Sequence, residues 1–177
     1  MTDPQAAVLE TERLLLRRLT PDDLDELYAL YRDPEVRRYF PDGTLTYEET
    51  KEELEWIIDV YYGKYGYGLW ATIYKPTGVF IGRCGLLPWT IEEQFEIEVA
   101  YLIAKEYWGQ GLGTEAAQAI LRYGFEQVGA PRLICLIEEE NRASQAVASK
   151  IGMRFEREIE DKYGRAMLYS TTNPGSA

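Results

Sequence analysis

The sequence predicts a single α/β domain, and three observations lead there. The chain has 177 residues, 46% of them hydrophobic and 13% aromatic, which is one domain's length with enough apolar material for a sizeable core. The hydrophobic period switches between helical and strand spacing along the chain. A glycine-rich turn, Gly109 to Thr114, stands between a strand pattern and a helix pattern. The resulting order, β-α-α-β-β-β-α-β-α-β-β, gives a sheet that is antiparallel at first and carries a strand–helix–strand unit at its centre. Residues 1–10 read as a flexible arm, 11–169 as the domain and 170–177 as a loose tail ending Asn-Pro-Gly-Ser-Ala.

The elements follow from local chemistry. Arg13 to Leu19 is the first strand. Thr20-Pro21-Asp22-Asp23 is a helix start, with Thr as N-cap, Pro at the first helical position and acids in the first turn. Leu24, Leu27, Tyr28 and Tyr31 follow at helical spacing until Asp33-Pro34. A second helix, Tyr47 to Tyr62, places Leu54, Ile57, Ile58 and Tyr61 on one face. Leu69 to Tyr74 and Val79 to Leu86 form a hairpin about Lys75-Pro76-Thr77-Gly78. Phe95 to Ile103 is the next strand. The helix from Leu112 to Val128 turns Ala116, Ala119, Ile120 and Tyr123 inward and stops at Gly129-Ala130-Pro131. Arg132 to Ile137 is almost wholly apolar, as a strand buried on both faces would be. A short helix, Asn141 to Ile151, ends at Gly152, and Met153 to Ile159 and Arg165 to Tyr169 are the last strands.

Composition narrows the function. The formal net charge is -11 and the isoelectric point about 4.6, which argues against nucleic acid and anionic membranes as partners. Histidine is absent, which removes Ser-His-Asp and Cys-His mechanisms and histidine-liganded metal sites. No metal is expected. Acid–base work falls to Glu, Asp, Tyr, Lys or Cys. Cys84 and Cys135 sit inside apolar runs and read as buried free thiols, which suits a reducing compartment. No charged n-region with an apolar h-region opens the chain, so a cytoplasmic protein is expected, as monomer or homodimer.

The run Tyr107-Trp108-Gly109-Gln110-Gly111-Leu112-Gly113-Thr114 carries the most information. Glycines let a ligand approach the backbone, and the amides of the first helical turn, with the positive end of the helix dipole, suit a phosphate. A P-loop would need Lys after its last glycine, which is missing. The dinucleotide fingerprint fails too: its third glycine would fall on Thr114 or Ala116. The stretch Glu98-Val99-Ala100-Tyr101-Leu102 followed by Tyr107 to Ala116 resembles the acetyl-CoA-binding motif of the GNAT N-acetyltransferases, in particular the RimJ/RimL-like branch that acetylates ribosomal-protein N-termini. Thr11-Glu12-Arg13-Leu14-Leu15-Leu16-Arg17 and Asn141-Arg142-Ala143-Ser144 through Met153 are similar to the same branch. The resemblance covers about residues 11–169. It implies a GNAT-like mixed, mostly antiparallel central sheet of about seven strands with helices on both faces. Trp108 stands where the general pattern has Gln or Arg, as is usual in that branch. Many relatives place a Tyr acid seven residues after the Asn; here that position is Ala148.

Acetyl transfer to an amine needs a held pyrophosphate, a proton acceptor, a donor for the thioester oxygen and, for the thiolate, a proton. Val99, Tyr101, Trp108, Gly109, Gln110, Gly111, Leu112, Gly113, Thr114, Asn141 and Ser144 are the expected contacts to acetyl-CoA. Glu98 is the candidate base, since a mid-strand carboxylate in apolar surroundings has a raised pKa; the alternative is a solvent-facing strand acid beside Glu96. Ser144 is the candidate acid, or a contact on the thiol side, or a helix cap. Asn141 either touches the pantetheine arm or caps the same helix. The resemblance implies an oxyanion donor among the amides of Val99 to Tyr101. Lys105, Arg142 and Lys150 could meet phosphates or be solvated charges. The second helix carries Glu48, Glu49, Glu52, Glu53, Glu55 and Asp59 against Lys51, a local charge of -5: a rim for a cationic acceptor, or an ordinary acidic face. Tyr61, Tyr62, Tyr65, Tyr67 and Trp70 either line an acceptor pocket or cover the sheet. The expected activity is acetyl-CoA-dependent N-acetylation of a primary amine, on a protein N-terminus or a small molecule. The alternative is a CoA-binding sensor of the same fold without turnover.

Overall fold

The computed structural model describes residues 3, 5–161 and 163–176, the side chain of Asp161 excepted. The parts of the expected arm at 1, 2 and 4, and the end of the tail at 177, lie outside the described residues.

Eight strands form one sheet in the order β1-β2-β3-β4-β5-β6-β8-β7. They are β1 (Ala7–Glu10), β2 (Leu14–Arg18), β3 (Leu69–Tyr74), β4 (Val79–Ile91), β5 (Gln94–Ile103), β6 (Arg132–Ile137), β7 (Arg154–Asp161) and β8 (Gly164–Thr172). Every neighbouring pair is antiparallel except β5 and β6. The helices are α1 (Leu24–Tyr31), α2 (Tyr47–Trp56), α3 (Gly63–Tyr65), α4 (Leu112–Glu126) and α5 (Arg142–Lys150). They lie on both faces. Arg83 of β4 bonds Tyr31 of α1 on one face, while Trp70 of β3 meets Tyr123 of α4 edge-on at 5.1 Å on the other.

Four boundaries differ from the sequence reading, each for a local reason. Ala7–Glu10, expected in the arm, pairs with β2 as an edge strand and makes eight strands rather than about seven. The expected tail begins inside β8, which pairs with β6 as far as Arg132↔Thr172. Asn173 then donates its Nδ2 to the carbonyl of Ala130 at 3.1 Å and its backbone N–H to that of Pro131 at 2.9 Å. β4 runs past Pro88 to Ile91 and turns through Glu92 and Glu93, both at positive φ (49° and 68°), into β5. The second helix is regular only to Trp56; a π turn, Ile57–Tyr62, follows. The π turn brings Tyr62 inward five residues after the buried Ile57, and its hydroxyl joins the N–H of Leu19 to the carbonyl of Leu69.

α2 opens with a capping box: Thr46 Oγ1 accepts from the N–H of Glu49 at 3.2 Å, and Glu49 accepts from that of Thr46 at 2.7 Å. α4 packs so closely on β6 that a Cβ at Gly124 would lie 2.7 Å from Leu133 Cδ1. Cys84 and Cys135 are free and buried, and burial pushes both thiols up. Among the described residues no helix is long and apolar enough to cross a membrane, and no cluster of three or more His, Cys, Asp or Glu could hold a metal.

Candidate active site

The site forms where the sheet comes apart. β5 and β6 share a single register pair, Glu98↔Ile134. Beyond it the strands are no longer paired, and a cavity of about 560 Å³ passes between them. Val99, Tyr101, Cys135, Asn141 and Ser144 line it on the α4–α5 side, and Val36, Phe40, Asp42, Arg83 and Trp89 line it on the α1–α2 side. Peptide groups freed by the splay find other partners. The N–H of Leu136 donates to Glu98 Oε1 at 3.3 Å, and the carbonyl of Val99 accepts from Cys135 Sγ at 3.2 Å. By strand alternation the N–H of Val99 faces the same side as its carbonyl, toward the cavity.

Glu98 is a cavity carboxyl, neither solvent-facing nor a twin of Glu96. Glu96 is buried and forked to Arg132, with Nη2 at 2.6 Å and Nε at 2.9 Å. Glu98 Oε2 accepts from the indole N–H of Trp89 at 2.6 Å. Burial raises the Glu98 carboxyl to about 7; the Trp89 and Leu136 hydrogen bonds and the charge of Arg83 oppose that rise without cancelling it. A second cavity carboxyl, Glu138, is also raised by burial.

The glycine-rich turn lies at the start of α4. Gly109 and Gly111 occupy the left-handed region (φ 74° and 77°), and Gly111 is the N-cap. Glu115 is the first residue whose N–H bonds back, to the Gly111 carbonyl at 3.0 Å, so the N–H groups of Leu112, Gly113 and Thr114 precede the helical ladder. A Cβ at Gly109 or Gly113 would meet no atom within 4 Å. Open space beside orphan amides at a helix N-terminus fits a pyrophosphate. Arg13 holds the turn from β2's approach: its Nη1 donates to the Gln110 carbonyl at 2.9 Å and its Nε to Glu115 at 2.8 Å. Burial would raise the Glu115 carboxyl, but hydrogen bonds from Thr11 and Arg13 and the guanidinium charge hold it low. Sequence reading missed this brace, although Thr11, Arg13 and Glu115 all stand in the quoted motifs.

Asn141 caps α5, its Oδ1 accepting from the N–H of Ser144 at 3.2 Å. Tyr101 reaches the same helix, its hydroxyl donating to the Ser144 carbonyl at 2.8 Å, and burial drives that hydroxyl far above the ordinary tyrosine range. Ala148 is fully buried, so the position that carries a Tyr in many relatives faces the core. Trp108 lies half-exposed outside the cavity, its indole N–H donating to the Ile103 carbonyl at 2.8 Å.

The structure bears on three open readings. Lys105 pairs with Glu35 at 2.5 Å rather than standing free for phosphate. No residue of α2 lines the cavity; Glu53 turns inward to accept from Tyr31, and the other acids of that helix point to solvent or toward it. Tyr62, Tyr67 and Trp70 belong to the core, and Tyr65 stacks on Phe95, so these aromatics cover the sheet.

Comparison with known proteins agrees with this geometry. The family model of the acetyltransferase (GNAT) domain matches residues 13–154. YkkB of Bacillus subtilis (strain 168), a protein described as uncharacterized, is 38% identical over 152 residues, 85% of this chain and 87% of its own. The crystal structure of a GNAT-family acetyltransferase from Bacillus anthracis superposes with a TM-score of 0.78 at 26% identity, covering 93% of this chain and 98% of that one. RimL, a ribosomal L7/L12 α-N-protein acetyltransferase solved with coenzyme A, superposes with a TM-score of 0.77 over 94% of this chain and 98% of its own; at 17% identity it shows the shared fold.

Proposed function

The chain belongs to the GNAT acetyltransferase family, and on that premise we propose that it moves an acetyl group from acetyl-CoA to a primary amine, with Glu98 as proton acceptor. The acceptor is a protein N-terminus or a small-molecule amine. The motifs at Thr11–Arg17 and Asn141–Met153 incline us to the RimJ/RimL-like branch. When bound, acetyl-CoA supplies an acyl group activated as a thioester; the protein's residues do the rest.

The amides of Leu112, Gly113 and Thr114 would hold the pyrophosphate, with Gly109 and Gly111 shaping the turn and Arg13 fixing it to the sheet. Asn141 and Ser144, at the start of α5, would flank the thiol end. An ammonium is not a nucleophile, so an amine entering from the α1–α2 side must lose a proton. Glu98 would take it, directly or through one water; its carboxyl lines the cavity and burial raises it to about 7, which supports that role. The N–H of Val99 would face charge developing on the acyl oxygen. Ser144 would return a proton to sulfur. The observation that carries this reading is Glu98, a carboxyl raised to about 7 at the point where the sheet opens.

The test is thiol release from acetyl-CoA over a panel of primary amines, with the N-acetyl product identified by mass. Amine-dependent release with a matching product is expected. Acetyl-CoA binding without release on any amine would instead make the chain a CoA sensor.

A further inference from the structure

We infer that Arg83 forms a carboxylate-binding site on the acceptor side of the cavity, so that the acceptor is an amine that also carries a carboxylate. This deepens the acetyl-transfer reading and rests on it.

Arg83 is 4% exposed, yet it is one of the residues that line the cavity. A buried arginine normally has a carboxylate against it, because a buried charge left without a partner is strongly destabilising. The nearby Arg37 follows that rule, bonding Asp42 at 2.6 Å and the Gly43 carbonyl at 2.7 Å. Arg83 does not. Its Nε donates to the hydroxyl of Tyr31 at 2.9 Å, and that hydroxyl donates in turn to Glu53 at 2.7 Å. Among the described residues none accepts from its Nη1 or Nη2, and none forms an ion pair with it. The guanidinium is held 5.5 Å from the centre of the Tyr31 ring and 5.6 Å from that of Phe40. It is therefore fixed in orientation with both terminal nitrogens left over, the geometry that grips a carboxylate with two parallel hydrogen bonds.

Its relation to Glu98 defines the ligand. Arg83 pairs with Leu102 across β4 and β5, and Leu87 pairs with Glu98, so Arg83 and Glu98 share a face. Four residues of strand separate them, roughly 13 Å between backbones at 3.3 Å per residue. Both residues line the one cavity, and the charge of Arg83 is felt at the Glu98 carboxyl, so a small molecule in the cavity can meet both. Of the other cavity charges, Asp42 is held by Arg37 and Arg165 by Glu158, while Glu138, on the loop after β6, adds a second carboxyl whose charge is felt at Glu98, the end that takes the amine. A simple alkylamine would leave Arg83 dehydrated and without a partner. A diamine would bring a second cation against it. An amino carboxylate presents its amine to Glu98 and its anion to Arg83, and so satisfies both ends.

The test compares glycine, β-alanine, γ-aminobutyrate and their longer ω-amino homologues with chain-matched alkylamines and diamines. It measures acetylation, and also binding to the CoA-loaded protein by ligand-observed NMR. At the best chain length the amino carboxylate is expected to exceed its alkylamine match at least tenfold in kcat/KM and in binding. That advantage is expected to fall toward one in Arg83→Met and to survive in part in Arg83→Lys. The wild-type comparison decides without any variant, should Arg83→Met fail to fold. Equal or better use of alkylamines or diamines would overturn the inference and leave acetyl transfer standing. If no amine is acetylated, acetyl transfer fails, and the NMR comparison still decides whether Arg83 selects a carboxylate.

Discussion

At Glu98 two effects act on one carboxyl in opposite directions. Burial favours the protonated form, while the indole N–H of Trp89 and the amide of Leu136 favour the charged one. Burial wins, and the consequence for stability has a definite sign. Below the unfolded pKa near 4.5 both states are protonated and the site costs nothing. Between 4.5 and the folded value of about 7 the unfolded chain has ionised this group while the folded protein still holds it protonated, so stability falls across that window and levels off above it. At 1.36 kcal/mol per pK unit the loss is up to roughly 3 kcal/mol. Glu98→Gln is therefore expected to gain stability over wild type on going from pH 5 to pH 8, read as the difference between denaturation midpoints. A constant difference would mean that Glu98 is not shifted. Trp89→Phe removes a donor to the charged form, so the acid limb of activity should move to higher pH; an unmoved limb would show that this bond does not tune the base. Strand alternation was enough to put Glu98 mid-strand and opposite to the apolar row. Its partner Trp89 was out of reach, because the apolar pattern placed the end of that strand at Leu86, and the strand in fact runs on through Pro88 to Ile91.

The elements were legible where the chemistry is local and missed where partners are distant. The Thr20-Pro21 start, the glycine turn and the Asn141 helix all stand close to where their sequences put them, since caps and glycines act within a few residues. β1 was not legible, because Ala7–Glu10 has no pattern of its own and is fixed by pairing with β2. The Glu92-Glu93 turn was missed for a related reason. Two-residue hairpins at positive φ favour Asn-Gly, and nothing in Glu-Glu signals one. That turn makes a prediction. Left-handed backbone costs a non-glycine residue roughly 1–2 kcal/mol, so Glu93→Gly should stabilise the protein by about 1 kcal/mol in chemical denaturation. A loss of stability would mean that the Glu93 side chain contributes more than its backbone strain removes. Gly85 is the converse case. A Cβ there would lie 2.0 Å from the Gly68 carbonyl oxygen, a backbone atom that cannot step aside. Gly85→Ala is expected to lower stability by more than about 2 kcal/mol, and a silent substitution would contradict the packing of β4 on the segment before β3.

For the whole molecule, one sheet does two jobs by failing to stay closed. Seven strand pairs are joined, but β5 and β6 touch at one register pair, and the opening brings amides, a shifted carboxyl and an arginine with no ion pair among the described residues to a shared cavity. The near-continuous apolar run at Arg132–Ile137 foretold a central strand, but a sequence cannot show that such a strand diverges from its neighbour. Acetyl-CoA binding at the glycine turn should stabilise the fold as a unit. At about 100 times its dissociation constant the gain is ~2.7 kcal/mol, a shift of several degrees in Tm, with ATP and NAD producing none. No shift at millimolar acetyl-CoA would reduce the turn to a structural cap. The central claim, that Glu98 is the proton acceptor, is tested most directly by the pH dependence of kcat/KM for the amine free base in wild type and Glu98→Gln. Wild type should lose tenfold per pH unit below about 7 and level off above it. Glu98→Gln should lose that break and roughly a hundredfold or more of the plateau rate, while keeping its acetyl-CoA shift. Full turnover in Glu98→Gln with the same break near 7 would contradict the account.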